Sequence, residues 1–378
     1  MLKRKSQLMK LLVASLAALS LGQALAEEDY SAEGERRAKL AGKGLLGTTA
    51  PQLLIKTLDG KTIDLSQLYG HKPVYIKYWA TWCAPCRKQM PGFEALYQKY
   101  GEQIQVIAVN TGLSDDLKSV SAFKDKAGLS MPIAIDDGTL ARALNFRVTP
   151  QHLLINKRGE FAYVGHEDDG NFYRALEQVI AEEAPEVAPT PSVIATQIKG
   201  YDIGDKLAPI SLKSIANQGF SVPAGNSVGA PATNSASLPS TSSAAKETVL
   251  VFFAPWCEWY LEQTEPLTSK SCTLVRQMLE SHGTDSHGTD SHSTGSSTQW
   301  LSVSTNLWTS KEDLTEYQAG HGAVGPIIFD ADGELFARFG VTQVPTVITV
   351  DQAGRVTDKV DFRQPDFKEK VTALFSKQ

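Results

Sequence analysis

The chain contains 378 residues, of which 42% are hydrophobic and 21% charged, and it carries a formal net charge of −5. This composition excludes a disordered or fibrous chain, and the length predicts two globular domains of about 100–200 residues each. The acidic balance argues against nucleic acid and against anionic membrane surfaces as partners, because both attract proteins through clustered basic residues.

The first residues have the pattern of a secretory signal peptide. Four basic residues within the first ten precede an apolar run at 11–21, and a small-residue cleavage pattern, Ala-Leu-Ala, follows at 24–26. An uncleaved membrane anchor is the alternative, but the run is too short to cross about 30 Å of hydrocarbon. We therefore expect residues 1–26 to be removed, the mature chain not to span a membrane, and the protein to reside in the periplasm.

Cysteine is used sparingly, at Cys83, Cys86, Cys257 and Cys272. Four cysteines are too few to staple a chain of this length, and domains of this size are stable through their own cores. In an oxidising compartment, such sparse use favours a chemical role over a structural one.

The first half of the chain has an alternating pattern. Residues 27–44 are charged, lack apolar periodicity, and are interpreted as a lead of the mature chain. Strands are predicted at 53–56, 62–65, 74–79, 105–110, 132–135, 152–156 and 160–164. The first two flank Asp59-Gly60, which predicts a hairpin. Helices are predicted at 87–100, 116–127, 138–145 and 171–182. This alternation predicts an α/β domain over 45–185, with a central mixed β-sheet flanked by helices.

A proline-containing linker at 186–200 separates this domain from a second one at 201–378. The second half repeats landmarks of the first in the same order: Trp82-Cys83 returns as Trp256-Cys257, and Thr149-Pro150 as Val344-Pro345. Several matched landmarks in one order indicate a duplicated domain.

Two low-complexity insertions interrupt the second copy, near 221–246 and 281–298. The later insertion contains His282, His287 and His292 at five-residue intervals. These side chains could bind a transition metal weakly, but an exposed loop does not preorganise ligands. We interpret both insertions as exposed loops and expect no metal site.

Cys83 and Cys86 have the spacing of a redox-active pair. Cys83 follows an apolar strand and opens a helix, where unpaired N–H groups and the helix dipole favour the thiolate that attacks disulfides. Cys86 lies nearly one helical turn later, close enough to close a disulfide ring. We therefore expect Cys83 to be the exposed nucleophile and Cys86 the more buried resolving thiol.

Two other interpretations of this pair are weaker. A structural disulfide would close such a short loop that it would stabilise the fold little. A zinc half-site would need further cysteine or histidine ligands, and the sequence offers no second pair to complete four. Thiol–disulfide exchange is the preferred interpretation.

Residues 78–87, Tyr-Trp-Ala-Thr-Trp-Cys-Ala-Pro-Cys-Arg, resemble the active-site segment of the TlpA/ResA-like branch of the thioredoxin superfamily. The resemblance continues through Met90-Pro91 to Thr149-Pro150 and implies two tandem thioredoxin-like domains, the second with a degenerate site. It implies a cis peptide bond at Pro150, with Trp82, Thr149 and Pro150 contacting the substrate chain.

The same resemblance implies an enzyme that reduces disulfides of periplasmic proteins with electrons from a membrane donor. The targets of related proteins include apocytochrome c. No cofactor is implied beyond the Cys83–Cys86 disulfide. A disulfide oxidase or isomerase is one alternative, and a non-catalytic adaptor or chaperone built on the second domain is another; metal delivery is more remote.

One residue departs from the thioredoxin pattern. Lys77 lies six residues before Cys83, where thioredoxins carry a buried acid. A buried lysine would have a lowered pKa and, when charged, would favour a nearby thiolate. We favour the simpler interpretation, in which the Lys77 side chain extends to the surface.

The second site lacks a resolving cysteine, because Tyr260 stands three residues after Cys257. Three interpretations stay open: a disulfide with Cys272, monothiol chemistry at Cys257, or a degenerate domain that binds partners. On one unbroken helix Cys257 and Cys272 would be about 22 Å apart, so a disulfide requires a break, for which Pro266 is the candidate. Cys257 and Cys272 are thus the candidate second redox site.

Overall fold

The chain folds as two α/β domains, each built on a five-stranded sheet. The computed structural model describes residues 30–186, 198–224, 247–285, 298–321 and 324–376. The predicted signal peptide, most of the predicted linker, and most of both predicted insertions, including His287 and His292, lie outside these residues.

The first domain begins with helix α1 at 30–42. Its strands are β1 (Leu54–Lys56), β2 (Thr62–Asp64), β3 (Val74–Trp79), β4 (Gln105–Asn110), β5 (Ile133–Ile135), β6 (Gln151–Ile155) and β7 (Phe161–Gly165). Its other helices are α2 (Ala84–Tyr100), α3 (Leu117–Ala127), α4 (Thr139–Ala143) and α5 (Gly170–Ala181).

The sheet of the first domain has the strand order β5-β4-β3-β6-β7. Strands β3, β4 and β5 are parallel, whereas β6 and β7 are antiparallel to their neighbours. Every side chain of β3 is buried, as expected for a central strand covered by helices on both faces. β1 and β2 form a separate hairpin, as predicted.

The second domain repeats this architecture. Its strands are β8 (Ile210–Lys213), β9 (Gly219–Val222), β10 (Glu247–Phe253), β11 (Thr298–Ser304), β12 (Ile327–Phe329), β13 (Thr346–Asp351) and β14 (Val356–Asp361). Its helices are α6 (Cys257–Tyr260), α7 (Pro266–Asp285), α8 (Lys311–His321), α9 (Glu334–Arg338) and α10 (Phe367–Ser376). The sheet order β12-β11-β10-β13-β14 matches that of the first domain, so the predicted fold class is confirmed.

The sequence located most elements of the first domain to within a few residues. β3 and β4 have the predicted bounds, whereas α2 begins at Ala84 rather than at residue 87. The earlier start follows from Cys83, whose sulfur accepts a hydrogen bond from the Cys86 N–H and caps the helix. Within the described residues, no helix has the length and apolarity needed to cross a membrane.

Helix α1 occupies most of residues 27–44, which the sequence predicts to be an N-terminal lead because they lack apolar periodicity. The helix is held by small apolar residues, since Ala38 and Ala41 are fully buried. Alanine gives a weak periodic signal among charged neighbours, so the sequence pattern did not reveal a packed face.

One hydrophobic cluster extends from the first domain into the second. It includes Trp82 and Leu113 of the first domain, and Trp256 and Leu307 of the second. The two domains therefore share a packed interface.

Candidate redox site

The turn between β3 and α2 carries the Cys83–Cys86 disulfide. The two Cα atoms are 5.2 Å apart, and Cys83 is the N-cap residue of α2. The sulfur of Cys83 accepts a hydrogen bond from the Cys86 N–H at 3.2 Å. In the reduced enzyme, this N–H and the helix dipole would stabilise a Cys83 thiolate, as the sequence predicts.

A buried carboxylate, Asp115, holds the turn in place from the loop after β4. The Thr81 N–H donates to Asp115 Oδ2 at 2.8 Å, and the Asn110 side-chain amide donates to the same oxygen at 2.8 Å. The Thr81 hydroxyl donates to the other carboxylate oxygen, Oδ1. The sequence did not reveal Asp115, because its contact with Thr81 joins residues 34 positions apart and leaves no local pattern.

The proline loop lies beside the disulfide turn at the same end of the sheet. β6 begins one residue after Pro150 and pairs with β3, with Gln151 opposite Tyr78. The Thr149–Pro150 peptide bond is cis, as the family resemblance implies, and so is Val344–Pro345 in the second domain. The arrangement places the predicted substrate-contacting residues Thr149 and Pro150 next to the redox turn.

Lys77 is buried, which makes the interpretation of a surface-reaching side chain wrong. Only 1% of its surface is exposed, and its ammonium nitrogen donates to Gln89 Oε1 at 2.8 Å. Lys77 lies on the central strand β3, and its side chain is covered by α2, because its ammonium nitrogen bonds to Gln89 and lies 5.1 Å from the centre of the Phe93 ring. Burial lowers the pKa of Lys77 to about 7, although Asp168 and Glu167 favour its charged form.

A buried histidine completes the polar cluster around Lys77. His152 Nε2 lies 3.2 Å from Gln89 Oε1, and His152 Nδ1 lies 2.6 Å from the Tyr75 hydroxyl. Burial, and then the charge of Lys77, hold the pKa of His152 well below its usual value. The neutral ring donates from Nε2 to Gln89 and accepts at Nδ1 from Tyr75. Gln89 lies three residues after Cys86 in α2, so this cluster lies beneath the redox helix.

Both cysteines of the site are inaccessible to solvent. Cys83 and Cys86 are each 0% exposed. The prediction that Cys83 is exposed is therefore wrong for this arrangement, because aromatic side chains of the second domain cover the turn. Trp82, predicted to contact substrate, is also buried, and its indole N–H donates to the Leu113 carbonyl at 2.8 Å.

The second domain has a disulfide at the corresponding place. Cys257 follows Trp256 as Cys83 follows Trp82, and it is joined to Cys272 with their Cα atoms 6.3 Å apart. Helix α6 ends at Tyr260 and α7 begins at Pro266, so the helix break required for this disulfide is present. The alternative of an unpaired Cys257 is not observed, because all four cysteines are in disulfides.

The part of the chain that the structure describes holds no cluster of three or more histidine, cysteine or acidic side chains that could bind a metal. The side chain of His282, like His287 and His292, lies outside that part. Whether the histidine repeat binds a metal is therefore not tested by the structure, and the expectation of no metal site stays a prediction from the sequence.

Comparisons with known proteins agree with this chemistry. Residues 46–164 match the AhpC/TSA family. Thiol–disulfide oxidoreductase ResA from Halalkalibacterium halodurans is 34% identical over 164 residues, which cover 43% of this chain and 87% of the relative. The ResA protein from Bacillus thuringiensis is 32% identical over 158 residues, covering 41% and 76%.

Solved structures include a similar protein, a thioredoxin-family thiol:disulfide interchange protein from Chlorobium tepidum. It is 23% identical, with a TM-score of 0.33, and the match covers 36% of this chain and 97% of that protein.

Proposed function

The chain belongs to the thioredoxin-like family of thiol–disulfide oxidoreductases that includes ResA, and we propose that it reduces disulfides of periplasmic proteins through Cys83 and Cys86. The observation that carries this proposal is the Cys83–Cys86 disulfide at the start of α2, beside the Thr149–Pro150 loop. The proposed periplasmic location is supported by the signal-peptide pattern in the sequence.

The proposed reaction transfers two electrons from the enzyme dithiol to the substrate disulfide. The Cys83 thiolate attacks one substrate sulfur, and the other substrate sulfur leaves as a thiolate that takes up a proton. The Cys86 thiolate then attacks the Cys83 sulfur of the mixed disulfide. This second step releases the reduced substrate and forms the Cys83–Cys86 disulfide, which a membrane donor would reduce again.

The reductive direction is supported by the residues between the two cysteines. Ala84-Pro85 is closer to the Gly-Pro of reducing thioredoxins than to the Pro-His of strong oxidants. Apocytochrome c is a candidate substrate class, supported by the resemblance stated above. A disulfide oxidase is the alternative, and its redox potential would differ measurably.

Trapping of mixed disulfides tests the exchange chemistry. The Cys86→Ser variant, expressed with its signal peptide, should accumulate protein partners linked to Cys83, because the resolving thiol is absent. The Cys83→Ser variant is the matched control and should trap none. No linked partner in the Cys86→Ser variant would contradict the proposal and favour the adaptor.

Equilibration with glutathione tests the direction. A reductase should have a Cys83–Cys86 potential at or below about −200 mV, in the range of glutaredoxins and thioredoxin. A value near about −120 mV, characteristic of strong periplasmic oxidants, would instead favour the oxidase.

Cys257 and Cys272 are a second candidate site for thiol–disulfide exchange. This proposal is supported by the position of Cys257, whose backbone N–H bonds to the Ala254 carbonyl as that of Cys83 bonds to the Ala80 carbonyl. The same glutathione series, with peptide mapping of each pair, tests it. If Cys257–Cys272 stays oxidised in buffers that fully reduce Cys83–Cys86, the second disulfide is structural.

A further inference from the structure

The second domain contacts the loop to which a substrate chain would bind. The indole N–H of Trp308 donates to the Thr149 hydroxyl oxygen at 3.1 Å. The backbone N–H of Trp308 donates to the Arg147 carbonyl at 2.9 Å. A backbone-to-backbone bond next to a cis-proline loop resembles the strand-type pairing by which extended peptides bind protein edges. Trp308 therefore lies against the Thr149–Pro150 loop, where the family resemblance places the substrate chain.

The second domain also covers the redox turn itself. The Tyr260 hydroxyl accepts a hydrogen bond from the Ala84 N–H at 3.2 Å, next to the nucleophilic cysteine. The rings of Trp256 and Tyr260 pack against Trp82, with centroid distances of 5.2 Å and 6.2 Å. These contacts place second-domain side chains against the residues on both sides of Cys83, which is itself fully buried.

Helix α1 contacts the aromatic side chains of the second domain that pack on the redox turn and the proline loop. The Tyr30 ring stacks on Tyr260 at 5.9 Å and packs against Trp308 at 4.7 Å. Burial raises the pKa of Tyr30, so its hydroxyl stays neutral. In the same helix, the Arg37 guanidinium pairs with Asp313 of the second domain at 2.7 Å.

The interface has an approximate two-fold symmetry. The Trp308 N–H bonds to the Arg147 carbonyl, and the equivalent residue of the first domain, Ser114, donates its N–H to the Thr342 carbonyl at 2.7 Å. Arg147 and Thr342 each lie three residues before a cis proline. Ser114 and Trp308 both have a positive φ, 58° and 52°. Each domain thus presents the same loop to the proline loop of the other, as in an isologous dimer.

We propose that the second domain is a built-in competitor for the substrate site of the first domain, and that the domains must separate before a protein disulfide reaches Cys83. This proposal rests on the proposed function, because it assigns regulation to the same site. In the closed arrangement, the apparent reactivity of Cys83 equals its reactivity in the open state multiplied by the fraction of molecules that are open.

The contacts are of a kind that can open and close. The interface combines hydrogen bonds, aromatic packing and exposed ion pairs, such as Arg363 with Asp116 at 2.8 Å. Interfaces between domains of one chain resemble transient protein complexes, and relative domain motion is common in them. A substrate chain that contacts Thr149 would compete with Trp308, whose indole bonds to the Thr149 hydroxyl.

Alkylation of Cys83 measures opening without any substrate. In the Cys86→Ser background, Cys83 is the one free thiol when Cys257–Cys272 remains oxidised. Iodoacetamide labelling of the full chain is followed by mass spectrometry of the Cys83 peptide, and a denatured sample gives the rate for a fully accessible Cys83. Labelling should be slow in this background, because the thiol is covered.

Interface substitutions should accelerate the labelling. Trp308→Ala should raise the rate about tenfold or more, since central aromatic residues carry much of the energy of an interface. Arg363→Ala, which leaves the aromatic packing intact, should raise it about two- to fivefold. Arg355→Ala is the matched control, because this exposed arginine bonds to the Gly204 carbonyl within its own domain.

The outcomes separate this proposal from the proposed function. Slow labelling that Trp308→Ala and Arg363→Ala accelerate, with unchanged circular dichroism, supports the closed arrangement even if no partner is trapped. Labelling of the Cys86→Ser chain at the denatured rate, or equal rates in the background, Arg363→Ala and Arg355→Ala proteins, would overturn it even if partners are trapped.

Discussion

Replacement of Lys77 by methionine should change how the stability of the first domain depends on pH. Lys77 is fully buried in β3, and its pKa falls from the usual 10.5 to about 7 because burial disfavours the ammonium ion. The difference of about 3.5 between the two pKa values corresponds to about 5 kcal/mol of unfolding free energy. Methionine has a similar length, no charge and no proton to exchange, so Lys77→Met removes this contribution.

The sign follows from the protonation states. Below pH 7 the lysine is charged in both the folded and the unfolded chain, and the native state bears the full cost of burial. Between pH 7 and 10.5 the unfolded chain holds more protons than the folded one, so wild-type stability rises with pH. The slope approaches about 1.4 kcal/mol per pH unit relative to Lys77→Met, and Lys77→Met should be the more stable protein below pH 7.

Hydrogen exchange of peptides from β3 and β6, followed through a denaturant titration at pH 6 to 10, measures the first domain separately from the second. The oxidised chain has no free thiol that could rearrange at high pH. Lys118→Met, at an exposed position of α3, is the control and should parallel the wild type. Parallel curves for wild type and Lys77→Met would refute the argument, because they would mean that Lys77 has the same pKa in both states.

Three further changes have expected outcomes of their own. Asp115→Ala should destabilise the chain by about 1–3 kcal/mol and increase exchange of the Thr81 amide, since it leaves the Thr81 N–H and the Asn110 amide without their shared acceptor. The double variant Cys257→Ala/Cys272→Ala should lose about 3 kcal/mol in denaturant unfolding of the second domain, the entropic value for a loop of 15 residues. Gly112→Ala should lower the melting temperature, because φ is +68° there and a Cβ would lie 2.2 Å from the Asp136 carbonyl oxygen.

Much of the first domain could be predicted because its sequence has strong local signals. A continuous apolar run marked β3, and Asp59-Gly60 between two β-rich segments marked the hairpin of β1 and β2. The redox pair could also be predicted, since Cys83 and Cys86 are close in sequence and their chemistry depends on one turn and one helix end.

The surroundings of the pair could not be predicted, because they depend on contacts between distant residues. Asp115 reaches Thr81 from a different loop, and the burial of Lys77 depends on helix α2, which covers that face of the sheet. A lone lysine in an apolar run is compatible with an exposed end or a buried one. The packing of α2 on β3 decides between them, and the sequence of β3 alone does not contain that information.

The residues by which the second domain departs from the first also contact the first domain. Tyr260 stands where the resolving cysteine would be, and its hydroxyl bonds to the Ala84 N–H. Trp308 stands where the first domain has Ser114, and its indole bonds to Thr149. A cysteine or a serine at these positions would be too short to make the same hydrogen bonds, and it would provide no aromatic surface for packing. The loss of the second dithiol site and the closure of the first are therefore linked: the side chains that replace catalytic or small residues in the second copy contact the residues around Cys83 in the first.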